Sequence, residues 1–294
     1  WYNNTTGTLK GAATIAAAWS SAAVYPSARR DAWGFGIQTA GVVGGGSTPL
    51  TDAANEWNGS AWTATAVYPA AVGGADGDGP QTAGLVTGGH SGDLNCDYNG
   101  TGFSINPTMN VPRSGHALIG NTAAQTAAIA ISGEPPTTTT SDYDGSSWTA
   151  GPTVPTWAQG TSGGGTTEAA FCQGNVNDAT QTLDYNGSTW SGGNAASNGH
   201  NYGGAGGTAS DGITFGGTQT PNPGTKTVQA ELYDGTNWTT GANMGTGRSN
   251  AHGNCTITAP ACLCATGNVP PAGNSNLNEE YNGAYVATQT LTTS

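Results

Sequence analysis

Residues 233–248 read YDGTNWTTGANMGTGR, and close variants return along the chain: YNGSTWSGGNAASNGH at 185–200, YDGSSWTAGPTVPTWA at 143–158 and WNGSAWTATAVYPAAV at 57–72. A period of tens of residues dictates architecture, so the repeat is the first thing to settle. The leading aromatic stands at Trp57, Tyr98, Tyr143, Tyr185, Tyr233 and Tyr281, at intervals of 41 to 48 residues. Five residues after each of the first five comes a second aromatic: Trp62, Phe103, Trp148, Trp190 and Trp238. The last copy, YNGAY, offers Tyr285 one residue early. Every pair brackets Asn-Gly or Asp-Gly, which predicts a two-residue type I′ hairpin with positive φ at both central positions.

Two further signals complete the unit. Before each hairpin lies a small apolar run ending in glycine: AGVVGGG (40–46), AGLVTGG (83–89), AAIAISG (127–133), AAFCQG (169–174), DGITFGG (211–217) and ACLCATG (261–267). Such runs read as strands covered on both faces. Ten residues after the second aromatic stand Arg113, His200 and Arg248, with Val72 and Ala158 in degenerate copies; Trp19 and Arg29 keep the same offset. A constant offset across variable filler implies constant geometry, and each unit therefore carries four strands. Four-stranded sheets repeated six times cover one another only when packed radially. The expected fold is an all-β, six-bladed β-propeller of four-stranded antiparallel blades over 29–294. A half-repeat arm over 1–28 precedes it. Seven blades are the alternative, in which other strands complete that half-unit.

The order Gly-Gly, aromatic, Trp, then Arg at the head of the next unit resembles the kelch repeat across residues 29–294. The chain departs from that pattern in its shorter hairpin and in SG, QG and TG at three of the Gly-Gly positions. The opening WYNNTTGTLKGAATIAAAW (1–19) is similar to the start of kelch-like repeat proteins in tailed phages of aquatic bacteria. That resemblance implies a virion component.

Composition narrows the partners. Charged residues are 8% of the 294, against about 25% in an ordinary domain. Six basic and 18 acidic residues give a net charge of −12, so no basic stripe exists for nucleic acid or an anionic membrane surface. The regularly placed tryptophans and tyrosines argue against disorder. No apolar run approaches the roughly 18 residues of a membrane span, so no membrane insertion is expected. The first residue is Trp1 rather than Met, which reads as a processed or partial chain. The five cysteines, at 96, 172, 255, 262 and 264, contain no CxxC, and buried free thiols are expected of them.

Motifs with catalytic associations lose to bland readings. GTSGG (160–164) formally places Ser162 as a hydrolase nucleophile, but no helix pattern follows it. SDYDGSSW (141–148) approaches the Asp-box of sialidase-type propellers, with Tyr143 where the aspartate belongs. Of Arg29, Arg30, Arg113 and Arg248, three sit at the structural offset rather than in a carboxylate-binding cluster. A galactose-oxidase-like copper site would need His90, His116, His200 and His252 to converge, yet equivalent positions in different blades lie apart. Asp76 and Asp78 in ADGDG have a calcium-like spacing without the further ligands, and an exposed turn is expected there. The Asn58, Asn99 and Asn186 sequons coincide with hairpin tips, where turn chemistry already accounts for the asparagine.

No catalytic, cofactor or metal residue is therefore assigned. The expected role is non-enzymatic display: an exposed tail-fibre, head-fibre or capsid-decoration module in multiple copies, at the virion surface or otherwise extracellular. Its expected partners are other virion or filament subunits, bound through the N-terminal arm, and a host-surface glycan or protein. A secreted or cell-surface lectin or adhesin is the alternative, and a degenerate oxidase or glycosidase the third reading.

Overall fold

The computed structural model describes residues 2–3, 8–90, 92–120, 123–135, 137–156, 159–219, 225–255, 261–271 and 273–291. Among them the secondary structure is strand, arranged as six four-stranded antiparallel sheets around one axis: a six-bladed β-propeller. Blade 1 runs from Trp33–Ile37 through Ala40–Gly44 and Ala54–Trp57 to Trp62–Ala64. Blade 2 is Ala75–Asp78, Gly84–Gly88, Asn95–Tyr98 and Phe103–Ile105; blade 3 is Ala117–Ile119, Ala128–Ile131, Thr139–Tyr143 and Trp148–Thr153. Blade 4 is Ser162–Gly165, Ala170–Gln173, Thr182–Tyr185 and Trp190–Gly192; blade 5 is Gly204–Thr208, Asp211–Phe215, Ala230–Tyr233 and Trp238–Thr240. Each is written from the axis outward.

Blade 6 corrects the expected boundary between arm and ring. Its inner three strands are His252–Cys255, Ala261–Ala265 and Asn278–Asn282, but its outer strand is Ala18–Ser21 from the N-terminal segment. Tyr281 faces Trp19 in register, as Tyr233 faces Trp238 and Tyr185 faces Trp190. The sixth second aromatic is thus Trp19, not Tyr285. Tyr25, fully buried, donates its hydroxyl to the Val43 carbonyl and leads the chain from blade 6 into blade 1. The propeller takes in residues from Ala18 onward. YNGAY makes no hairpin: Tyr285–Leu291 leaves the blade and pairs over its whole length with Thr8–Ile15, with Tyr2–Asn3 on the far edge. Among the described strands, this ribbon has no more than glancing contact with the blades.

The other five hairpins are real, but not of the expected type. Their aromatics are cross-strand partners, which leaves four loop residues rather than two. Only the glycine has positive φ, between 87° and 91° at Gly59, Gly100, Gly145, Gly187 and Gly235. The Asn or Asp is there for its side-chain oxygen: Asn58 Oδ1 accepts from the Ser60 and Ala61 amides at 3.0 and 2.9 Å, and Asp234 Oδ1 does likewise for Thr236 and Asn237. This local bond turns the chain without asking the first residue to adopt a left-handed conformation.

Six apolar layers between neighbouring sheets form the core. Trp33 and Phe35 of blade 1 pack on Val86, Cys96 and Tyr98 of blade 2. Trp238 of blade 5 lies against Phe171 of blade 4, with centroids 5.7 Å apart, and donates Nε1 to Thr182 Oγ1 at 2.9 Å. Tyr25 and Ala265 meet Val43 where the ring closes. A second fastening, absent from the sequence reading, is a repeated Gln-Thr-Ala. Gln38, Gln81 and Gln125 each donate Nε2 to the carbonyl of the preceding blade's leading aromatic: Tyr281, Trp57 and Tyr98. Cys96, Cys172 and Cys264 are buried free thiols, as expected, but Cys262 is disulfide-bonded. The backbone register sets position 255 directly opposite it on the neighbouring strand.

Candidate functional site: the central cavity

The residue two places after each Arg-type position lies where the chain turns in toward the axis. These residues are Asp31, Gly74, Gly115, Gly160, Tyr202 and Asn250, and all six have left-handed φ, between 52° and 77°. Each amide donates to the carbonyl of its counterpart in the preceding blade: Gly74 to Asp31, Gly115 to Gly74, Gly160 to Gly115, Tyr202 to Gly160, Asn250 to Tyr202 and Asp31 to Asn250, at 2.8–3.1 Å. The result is a closed ring of six backbone hydrogen bonds around the axis. It depends on conformation rather than side chain, so six dissimilar copies can share it.

The Arg-type positions brace this ring from behind. Arg113, fully buried, donates Nη1 to the Ser132 carbonyl and Nη2 to the Thr139 carbonyl and Ser141 Oγ, at 2.6–3.0 Å. Burial pushes its guanidinium down to about 10, which still leaves it charged at neutral pH. Arg29 reaches the Gly45 carbonyl, Arg248 the Leu277 carbonyl and Glu279, and His200 the Gly216 carbonyl and Glu231. Burial raises the Glu231 carboxyl, but bonds from His200 and from the Asn198 and Ser197 amides outweigh it and leave the group below its usual range. These side chains satisfy their own blades and face no ligand space. Ala158 lies outside the described residues.

Inside the ring is a cavity of about 340 Å³, walled by the innermost strands. Its sides are unequal. On blades 4 and 5 the walls are nearly bare backbone, and a β-carbon at Gly164 would lie 2.8 Å from the Gly206 carbonyl carbon. On blade 2 stand Asp76 and Asp78. The sequence suggested an exposed turn there; the structure makes it the inner strand of blade 2, with both aspartates half-buried. Asp76 Oδ2 accepts from the Leu118 amide and Asp78 Oδ2 from the Gly120 amide, at 2.8 and 2.7 Å. These carboxylates take up the edge amides of blade 3, the work a neighbouring strand would do in a continuous sheet. Burial raises the Asp76 carboxyl to about 7 despite those bonds.

Neutral polar groups complete the lining. His116 is buried, its Nε2 2.9 Å from Thr87 Oγ1 and its Nδ1 without a partner. Burial, and then the Arg113 charge, hold its imidazole down to about 3, so it is neutral. Ser162 sits on the inner strand of blade 4 with its Oγ enclosed and unpartnered, and a strand rather than the elbow helix carries it. Tyr202 is half-buried at the mouth, its ring lying against Gly160 and Gly115 of blades 4 and 3. Asp31, beside it, is 3.5 Å from Arg30 Nε. His90 also lines the mouth, whereas His200 is engaged with Glu231 in blade 5. Among the described residues no three His, Cys, Asp or Glu side chains gather as a metal site. The side chain of His252 lies outside that description.

No family model matches the sequence, and no curated protein matches it. Among solved structures, "Structure of YjhT" superposes with a TM-score of 0.73 at 13% identity, covering 91% of this chain and 99% of that one. A likeness at this identity shows the fold, a propeller of six four-stranded blades, and carries no activity from one chain to the other.

Proposed function

We propose that this chain is a non-enzymatic propeller displayed on a particle or filament, as a tail-fibre, head-fibre or decoration module of a virion. In this reading the terminal ribbon holds it and the blade loops face outward. The observation that carries the reading is the ribbon itself. Residues 9–15 and Tyr285–Leu291 pair residue for residue outside every blade. So narrow a sheet is marginal in water on its own, which suits a segment completed by neighbouring subunits. The kelch-like unit order and the phage-like opening phrase support the same assignment, as does a net charge of −12, which opposes self-association of the free surface. Asp76 and Asp78 on the cavity wall accept backbone amides, and the Arg-type side chains brace carbonyls. A secreted lectin or adhesin would share the ring, but the ribbon favours attachment.

The test is to remove residues 1–15 and 284–294 and follow incorporation into particles by immunogold labelling. The shortened chain should fold and fail to incorporate. Normal incorporation of the shortened chain, or turnover of a sugar by the intact chain as a free monomer, would refute the display reading.

A further inference from the structure

The chain has six lysines and arginines, and the ring spends three of them internally. Arg29, Arg113 and Arg248 are buried on blade carbonyls, and Lys10 belongs to the ribbon. The other two, Arg30 and Lys226, are far apart in sequence and meet at one cleft. It opens where the segments joining the second and third strands of blades 5, 6 and 1 come together. It holds about 310 Å³ and is lined by Arg30, Thr48, Asn268, Gly273 and Asn274. Lys226 adjoins that wall, donating Nζ to Asn268 Oδ1 at 2.6 Å.

Two like charges brought together repel, and on a chain with so few cations their pairing asks for a reason. Among the described residues Lys226 has no carboxylate within ion-pairing distance, and Arg30 has one, Asp31, 3.5 Å from Nε. That contact takes one edge of a guanidinium whose side chain is 41% exposed, and leaves Nη1 and Nη2 uncommitted among the described residues. Partial burial, and then the Arg30 charge, push the Lys226 ammonium down, which marks a local excess of positive charge. The neighbouring amides are already oriented. Lys226 occupies Asn268 Oδ1, so the donor Nδ2 is the end left for a ligand. Asn274 Nδ2 donates to the Thr48 carbonyl, which leaves its Oδ1 as an acceptor. Thr48 and Gly273 are exposed, and a β-carbon at Gly273 would meet nothing within 4 Å, so the approach is open.

From this juxtaposition we propose that the cleft is a binding subsite for a phosphate group. The Arg30 guanidinium and Asn268 Nδ2 hold its oxygens, the Lys226 ammonium supplies the second charge beside them, and Asn274 Oδ1 receives an adjoining hydroxyl. Two cations balance a dianion, whereas a carboxylate is satisfied by the arginine fork alone. Donors arriving from three separate segments suit a tetrahedral group better than a planar one. The volume is at the small end of ligand sites, room for a phosphate and one attached ring. Free phosphate and a phosphorylated saccharide both offer this chemistry. The site uses no residue of the ribbon, so it stands or falls separately from the display reading.

The test is isothermal titration calorimetry of the full chain at low ionic strength with inorganic phosphate, glucose 6-phosphate, glucose and acetate. Inorganic phosphate should bind, more weakly as salt is added, while glucose gives no heat and acetate binds about tenfold more weakly or not at all. An ester that binds as well as the free ion marks the source as a phosphorylated saccharide, and an excluded ester marks it as free phosphate; either result sustains the subsite. Arg30→Gln and Lys226→Gln should each weaken phosphate binding by about tenfold or more at unchanged melting temperature. The second keeps a donor for Asn268 Oδ1 and removes only the charge. Asp31→Asn removes the carboxylate that competes for Arg30 and installs the residue type already found at Asn250, the matching ring position. It should tighten phosphate binding several-fold, a gain that loss of structure does not produce. The proposal is overturned if neither phosphate probe binds, if acetate or glucose binds as tightly as phosphate, if both charge variants bind as the parent does, or if Asp31→Asn fails to tighten binding.

Discussion

At the scale of single residues, three substitutions test the physical account. Trp238→Ala should cost about 3–5 kcal/mol in denaturant unfolding, because it empties the layer between blades 5 and 4 and orphans Thr182 Oγ1. Gly235→Val should also destabilise, since φ 91° is a conformation a β-branched residue resists. Asp76 makes a prediction in pH. Its carboxyl titrates near 7 in the fold against 3.8 in the unfolded chain. The folded state therefore holds the proton more tightly, and stability is lost as pH rises from about 4 to about 7, then levels off. Asp76→Asn keeps the acceptor oxygen for the Leu118 amide without the charge. Its melting temperature relative to the parent should climb between pH 4 and 7 and stay flat above. A difference that falls over that interval would mean the carboxylate is the stabilising form.

At the scale of elements, the ribbon and the Ala18–Ser21 strand should behave oppositely. Removing 1–15 and 284–294 should leave the melting temperature within a few degrees, whereas extending the N-terminal cut through Ser21 should strip blade 6 of Trp19 and lower it sharply. Scanning calorimetry of the two truncations decides. The same strand shows what the sequence could tell. Trp19 keeps the ten-residue offset to Arg29, so its membership in the ring is legible; Tyr285, four residues after Tyr281, offers a competing aromatic at the nearer spacing. Gln-Thr-Ala at 38–40, 81–83 and 125–127 was also visible, but its purpose was not, because it fastens residues some 24 to 243 positions apart. The Asn-Gly and Asp-Gly tips gave five of the six hairpins and the wrong turn type, since an Asx side-chain bond and a left-handed residue favour the same amino acid. Nothing local could reveal Asp76 and Asp78 as edge fasteners or Tyr202 as the outlier of the ring. Both follow only from where a different blade's backbone comes to lie.

At the scale of the whole molecule, stability should rest on inter-blade packing and the backbone ring rather than on any bound ion. Excess EDTA is therefore expected to leave the unfolding transition unchanged, and a shift of more than a few degrees would reveal a structural cation. The ring closes by joining Trp19 to Tyr281, residues 262 positions apart in the chain. That separation has a consequence in time. At roughly 5–20 residues per second of synthesis, the Trp19 strand leaves the ribosome some 13–50 seconds before its partner exists. Throughout that wait five blades can stack in order as they emerge, while one aromatic strand and one open flank stay uncovered. The chain is thus most vulnerable to capture by chaperones, or by a sibling chain offering its own last blade, at the very end of its manufacture. Slowing translation over the final fifty codons should increase strand-exchanged dimers, while slowing it over the first fifty should not.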